Sequence, residues 1–276
     1  MTGIERIERT FEACRAGGRA ALVTYVMGGD PDLAGSQAMA LACVEGGADL
    51  LEIGIPFSDP IADGPTIQAA AERALAAGTT VAGVLRVAAA VRRAAPGVPI
   101  ALMGYVNPIL AHGEERFLAG AARAGVDALI LPDLPPEEAQ GLRARALAHG
   151  IALVFLLAPT STPARRRAAC DAAGGFLYFV SVTGVTGARR DLPAELPALL
   201  AEVRRESPVP VVVGFGVSEA AQARALAPLA DGVVVGSAVV QRAAAPGTRA
   251  ARAARVRRFV AKLRRAMGRP MGAGGD

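Results

Sequence analysis

Lysine occurs once in these 276 residues, at Lys262, histidine twice, at His112 and His149, and cysteine three times, at Cys14, Cys43 and Cys170. Each scarcity excludes a chemistry. A Schiff-base enzyme needs a lysine in its pocket, and Lys262 sits in an arginine-rich terminal stretch. The histidines are far apart, so a histidine-based metal site is disfavoured; both read as surface or capping residues. The cysteines are odd in number and form no CxxC pair, which predicts buried free thiols rather than a disulfide framework or a zinc site. No apolar run approaches the roughly 20 residues of a membrane span; the longest is IALVFLLAP. The opening stretch MTGIERIERTFEACRAGG lacks the apolar centre of a signal peptide. The expectation is a soluble, cytoplasmic protein.

Acid is absent from residues 249–269, which carry nine basic residues. Removing these nine from the total of 30 leaves 21 basic against 25 acidic, so the net charge of +5 belongs to one segment. Within it Val256, Phe259, Val260, Leu263 and Met267 recur at helical spacing. The segment reads as a closing helix with a solvated arginine face, not as a nucleic-acid surface.

What the chain has in quantity is short apolar runs. Eight recur: ALVTYVMGG, DLLEIGIP, VPIALMGYVNP, VDALILPDLP, IALVFLLAPT, FLYFVSVTG, VPVVVGFG and DGVVVGSA. Alanine- and arginine-rich helical segments separate them. Strands alternating with helices of this length predict parallel pairing through crossover helices, and near-continuous apolar strands predict a sheet covered on both faces. Eight such units predict a single (β/α)₈ TIM barrel over residues 1–268, with 269–276 a disordered tail. An open doubly wound sheet is the alternative; it lacks a GxGxxG after the first strand. Ile4, Ile7 and Phe11 predict an extra N-terminal helix plugging the barrel floor. The wide interval between the second and third runs leaves room for an additional helix near 80–95.

Active sites of such barrels lie at the C-terminal ends of the strands. That directs attention to Glu52, Asp63, Asn107, Asp133, Tyr178 and the glycine turns at 214–216 and 236–237. Glu52 shares an alternating face with Leu50 and Gly54. Burial there would raise its pKa toward neutrality and suit it to general acid/base work; the alternative is a structural glutamate bonded to a neighbouring strand. Asp63 follows in a loop stiffened by Pro56, Pro60 and Pro65 and can return over the mouth. Asp59 and Asp63 also fit ordinary turn chemistry.

Gly214-Phe215-Gly216, followed by Ser218 as a helix N-cap, and Gly236-Ser237, opening another helix, form the phosphate-binding arrangement of barrel strands seven and eight. Tight-turn glycine without a ligand is the alternative. Residues 181–191, SVTGVTGARRD, read as a lid after the sixth strand.

The motifs LEIGIPFSDPIADGPTIQ, MGYVNPI, LILPDLPPEE, FVSVTGVTGAR, VVVGFGVS and DGVVVGSA, in this order from about residue 4 to 265, resemble those of the tryptophan synthase alpha chain family. The resemblance implies a lyase that splits indole-3-glycerol phosphate into indole and glyceraldehyde 3-phosphate in a retro-aldol sense. It implies Glu52 as the acid/base, Asp63 as the group that holds the indole N–H, and Tyr178 packed beside the glutamate. Gly187, Gly216, Gly236 and Ser237 would bind phosphate, with Phe215 in the same turn, and Thr186 on the lid would close toward Asp63. It implies a beta-chain partner in an α₂β₂ assembly, in contact with Asp59, Pro60 and Asn107. No cofactor is expected in this chain, the pyridoxal phosphate being the partner's. Tyr25 stands where a phenylalanine is common on the indole pocket wall, and Met27-Gly28 also depart from the usual pattern. A stand-alone lyase, a non-catalytic beta-binding subunit and another phosphate-sugar barrel are the alternatives.

Overall fold

The computed structural model describes residues 1–180, 194–214 and 216–268. Every strand pair is parallel. Strands β1 (Ala21–Met27), β2 (Leu50–Gly54), β3 (Ile100–Met103), β4 (Ala128–Ile130) and β5 (Ala152–Val154) follow one another. They continue through β6 (Leu156–Leu157), β7 (Leu177–Val180), β8 (Val211–Gly214) and β9 (Gly232–Val235). The hydrogen-bonded order is β5-β4-β3-β2-β1-β9-β8-β7-β6. Its two ends, β5 and β6, are consecutive pieces of the fifth apolar run, which bonds β4 through Ala152–Val154 and β7 through Leu156–Leu157. The eight expected strands therefore close into a barrel, and nine are counted because the stagger of a closed barrel makes the fifth change partner at Phe155.

Alternation along each strand separates two cores. Leu22, Leu51, Ile53, Leu102, Leu129, Leu153, Val213 and Val235 face outward onto the helices. Ala21, Val23, Leu50, Ala101, Ala128, Ala152, Val212 and Val234 face the barrel interior. Helix α1 (Gly3–Ala16) closes the floor by inserting Ile7, Phe11 and Cys14 into that interior set, as the spacing of its apolar residues predicts. A side-chain carbon at Gly232 would lie 2.9 Å from the Val212 side chain and 3.2 Å from the Ala21 carbonyl oxygen, so the barrel wall beside the plug favours glycine there.

Three aspartates brace the floor in one repeated way. Asp49, Asp127 and Asp231 each stand at the start of a strand and accept the backbone N–H of the preceding one: Leu22 at 2.8 Å, Ile100 at 2.7 Å and Val211 at 2.9 Å. Each also holds arginine: Arg19 on Asp49, Arg204 on Asp231, and both Arg6 and Arg92 on the fully buried Asp127.

The remaining helices among the described residues are α2 (Leu33–Glu45), α3 (Pro65–Ala76), α4 (Val81–Ala94), α5 (Val106–His112), α6 (Glu114–Ala124), α7 (Gln140–Ala148), α8 (Pro163–Ala172), α9 (Leu196–Glu206), α10 (Ala220–Leu226), α11 (Ser237–Ala244) and α12 (Arg249–Met267). Helix α4 is the additional helix expected near 80–95, and α3 fills the same interval. Helix α12 buries Val256, Phe259, Val260, Leu263 and Met267, the face that the spacing selects. Among the described residues no single helix is long and apolar enough to cross a membrane. All three cysteines are buried and free. Residues 269–276, expected as a tail, lie outside the described residues.

Candidate active site

Parallel strands bring all their C-terminal ends to one mouth. Over the β1 side of that mouth lie α3 and α11, packed through Tyr25, Met27, Ile67, Ala70, Ala71 and Val240. Gln241 and Thr66 join the two helices by a 3.2 Å hydrogen bond.

Glu52 occupies the middle of β2, opposite Tyr25 of β1 and Ala101 of β3. It is 1% exposed, and neither carboxyl oxygen has a hydrogen-bond partner among the described residues. A strand partner, the structural alternative for this residue, is therefore lacking there. Burial alone pushes its pKa up to about 8. At neutral pH the group carries a proton it can give away.

Asp63 lies at the end of the β2–α3 loop, next to Gly64, the N-cap of α3. Its backbone carbonyl accepts the Gln68 side-chain N–H at 2.8 Å, and its side chain is half-buried. Burial raises its pKa, and the nearby Tyr105 hydroxyl opposes the rise. Tyr25 and Tyr178 are 5% and 8% exposed. Burial and the charges of both Glu52 and Asp63 hold their phenols well above the usual range, which places all four groups around one space.

Glycine makes that space. A side-chain carbon at Gly54 would lie 2.0 Å from the Tyr25 hydroxyl and 3.1 Å from the Met27 sulfur. At Gly214 it would lie 2.8 Å from the Tyr178 ring. Each ring thus lies across the glycine of a neighbouring strand.

The turns after β8 and β9 carry Gly216, Gly236 and Ser237. Gly216 has φ +61°, a conformation that favours glycine. Gly236 is the N-cap of α11 and Ser237 its first residue. Ser218 is not the N-cap of α10: that position is Glu219. The reason is Gln222, whose carbonyl oxygen collects the Ser218 N–H, the Ser218 hydroxyl and the Glu219 N–H at 2.8–3.2 Å and draws the turn back one residue. Thr186, Gly187 and Phe215, with the whole lid sequence 181–191, lie outside the described residues.

Asp59, Pro60 and Asn107 are brought to one rim, on the β2–α3 loop and the first turn of α5. Asp59 and Asn107 are exposed. Beside them stand Ile61, 84% exposed, and Leu110, 55% exposed. Asp133, another strand-end carboxylate, is turned to structure: it accepts the Val106 N–H at 3.0 Å and so caps α5. His149 ends α7 below β5 and faces Glu115 at 3.0 Å; His112 packs edge-on to Phe117. Among the described residues no cluster of three or more His, Cys, Asp or Glu could hold a metal. Clefts also open at the opposite end of the barrel, one lined by Arg9, Arg19 and Asp49, but its aspartate is already held by Arg19 and the Leu22 N–H.

Sequence reasoning missed Tyr105, which is 4% exposed. The chain has three tyrosines, Tyr25 within β1, Tyr178 within β7 and Tyr105 just after β3, and all of them are buried around this space. That shared position was the available signal.

A family model described as the tryptophan synthase alpha chain matches residues 11–268. The alpha chain of Geobacter sulfurreducens is 53% identical over 238 residues, covering 86% of this chain and 90% of that one. The alpha chain of Halorhodospira halophila is 48% identical over 265 residues, covering 96% and 97%. Among solved structures, tryptophan synthase of Mycobacterium tuberculosis aligns with TM-score 0.88 and 41% identity, over 96% of this chain and 99% of that one. The tryptophan synthase alpha chain of Legionella pneumophila aligns at 0.85 and 36%, over 97% of each.

Proposed function

The chain belongs to the tryptophan synthase alpha chain family, and from that membership we propose that Glu52 and Asp63 are the groups that carry its reaction. The reaction is the lyase step, cleavage of indole-3-glycerol phosphate to indole and glyceraldehyde 3-phosphate, and residues 1–268 act in it as one catalytic unit. The observation that carries the assignment is Glu52 itself: a buried carboxyl facing inward, without a hydrogen-bond partner among the described residues, with its pKa pushed up to about 8.

The protonated Glu52 gives its proton to C3 of the indole. Positive charge then develops on the ring nitrogen, where the Asp63 carboxylate stabilises it. The side-chain hydroxyl on the carbon bonded to C3 returns a proton to Glu52. Its O–H electrons close a carbonyl, the carbon–carbon bond breaks, and that pair returns to the ring. Glu52 ends the cycle protonated, as it began. Tyr25 and Tyr178 wall the indole. The backbone amides of Gly216, Gly236 and Ser237 take the phosphate, aided by the N-terminal end of α11, with Gly187 and Phe215 beside them and Thr186 closing toward Asp63. Asp63→Asn keeps the shape and removes the charge, and lowers turnover by roughly 10²-fold in an assay of indole release. Near-normal turnover would take Asp63 out of the mechanism.

The chain works with a beta chain, and we assign the assembly as α₂β₂. Asp59, Pro60 and Asn107 contact the partner, a reading supported by the bare Ile61 and Leu110 on the same rim. The pyridoxal phosphate belongs to that partner. In support, the one lysine of this chain, Lys262, is exposed on α12. The cytoplasm is its compartment, where a charged phosphate ester is retained. The test is indole release by the purified chain, alone and with a beta chain. Slow release that rises sharply with the partner is expected. Fast release indifferent to the partner would indicate a stand-alone lyase, and none in either case would leave a binding subunit.

A further inference from the structure

Tyr105 is the one tyrosine of the mouth to which the lyase reading gives no task. It ends the β3 segment and serves as the N-cap of α5. Its ring packs on Phe57 of the β2–α3 loop, with centroids 5.4 Å apart. Its hydroxyl oxygen accepts the Ala62 N–H at 3.1 Å. A phenol both accepts and donates. With the Ala62 N–H supplying one bond, the phenolic proton is left for an acceptor, and the carboxyl of the residue next to Ala62 in sequence, Asp63, is the acid that lies nearby.

The backbone around this contact is held on both sides. Asp133 fixes the start of α5 through the Val106 N–H, so Tyr105 leaves a fixed point. Gln68 fixes the Asp63 carbonyl to α3. Between these anchors the Tyr105 hydroxyl is tied to the loop at Ala62, one residue before Asp63. We propose that Tyr105 is a positioning residue of the lyase site, receiving the Ala62 N–H and donating its own proton to Asp63, so that the carboxylate is held toward the barrel mouth. This rests on Asp63 being the group that meets the developing positive charge.

Tyr105 acts on both place and ionisation. The donated proton favours the carboxylate form against burial. The other ionisable groups felt around Asp63 are Tyr25 of β1 and Tyr178 of β7, with Asp133 on the far side of Tyr105. Removing one hydroxyl therefore has a signature that loss of packing does not share.

The test is Tyr105→Phe, which keeps the ring against Phe57. Turnover falls roughly 10- to 100-fold for a misplaced group, KM stays within about threefold, and the acid limb of kcat/KM moves to higher pH. Carbon-13 NMR of the Asp63 carboxyl shows its titration moving the same way. Turnover within twofold of wild type, or an Asp63 titration that stays in place, overturns the proposal. A parallel Asp63→Asn variant separates the two layers. If the Asp63 titration moves in Tyr105→Phe while Asp63→Asn releases indole at the wild-type rate, Tyr105 positions Asp63 and the lyase assignment of Asp63 is what fails.

Discussion

Glu52→Gln abolishes indole release, by roughly 10²- to 10⁴-fold, while the phosphate ester still binds. The amide has the size of the acid but no proton to transfer, and nothing else described beside it is fit to take over. Tyr25 and Tyr178 hold their protons far too tightly, their phenols raised well above the usual range. Liquid chromatography of indole over hours sets the lower bound, and full activity would end the assignment.

The same substitution changes stability, and its sign follows from the ionisation. The carboxyl titrates at 4.5 when solvated and at about 8 in the fold. Native protein keeps the proton that the unfolded chain releases, so the contribution of the neutral acid is full below pH 4.5 and is lost as pH rises to 8. At pH 8 the loss is on the order of 4 kcal/mol. Glutamine has no such titration. Calorimetry should find the variant more stable at pH 8, by about 2 kcal/mol after allowing for an unpartnered amide, and its stability flatter between pH 5 and 8. Wild-type turnover should fall as pH passes 8, because the reaction starts from the protonated acid. A wild-type rate still climbing well above that pH would contradict the proton cycle.

Asp127→Ala destabilises the barrel by about 3–5 kcal/mol and leaves turnover of the folded enzyme unchanged. The carboxylate is fully buried and serves three elements at once: Arg6 of the plug, Arg92 of α4 and the Ile100 N–H at the start of β3. Burial raises its pKa, and Arg92, the Ile100 amide and Arg6 pull it back down. Removing the acid strands two guanidiniums of which only about a seventh is exposed. Arg92 keeps the carbonyls of Pro96, Val98 and Gly125; Arg6 keeps none of this kind, and its Nε has no partner among the described residues. The plug should loosen first. Urea unfolding monitored by circular dichroism gives the loss, and a change below about 1 kcal/mol would reduce the brace to an ordinary surface pair. Turnover at low temperature stays level because the Asp127 carboxylate bonds only Arg6, Arg92 and the Ile100 N–H and touches no group of the mouth.

Much of this was legible in the chain because it depends on neighbours in sequence. Eight apolar runs at helix-length intervals leave few arrangements other than a closed parallel barrel. Alternation within LLEIG turns Glu52 to the face of Leu50 and Gly54 without further information. The plug residues Ile7 and Phe11, the buried face of α12 and the glycines of the turns after β8 and β9 each follow from local periodicity or backbone freedom. A single lysine, set in the terminal helix, and the lack of paired histidines left carboxylates, tyrosine, hydroxyls and backbone amides for the chemistry.

Other features depend on residues brought together from afar, and there the tertiary structure decided. In isolation Asp49, Asp127 and Asp231 are strand-leading aspartates; that they are braces depends on arginines 27 to 121 positions away. Asp133 looks like Asp63 at a strand end, yet one caps a helix and the other faces the mouth, because only Asp133 meets the Val106 N–H. Tyr105 could not be distinguished from a core tyrosine until the 43-residue span to Ala62 was closed. The pKa of Glu52 belongs to this second class as well. The sequence by itself determined that a carboxyl faces inward on β2; the closed barrel decided that no described polar group reaches it, and burial without a partner is what keeps its proton on.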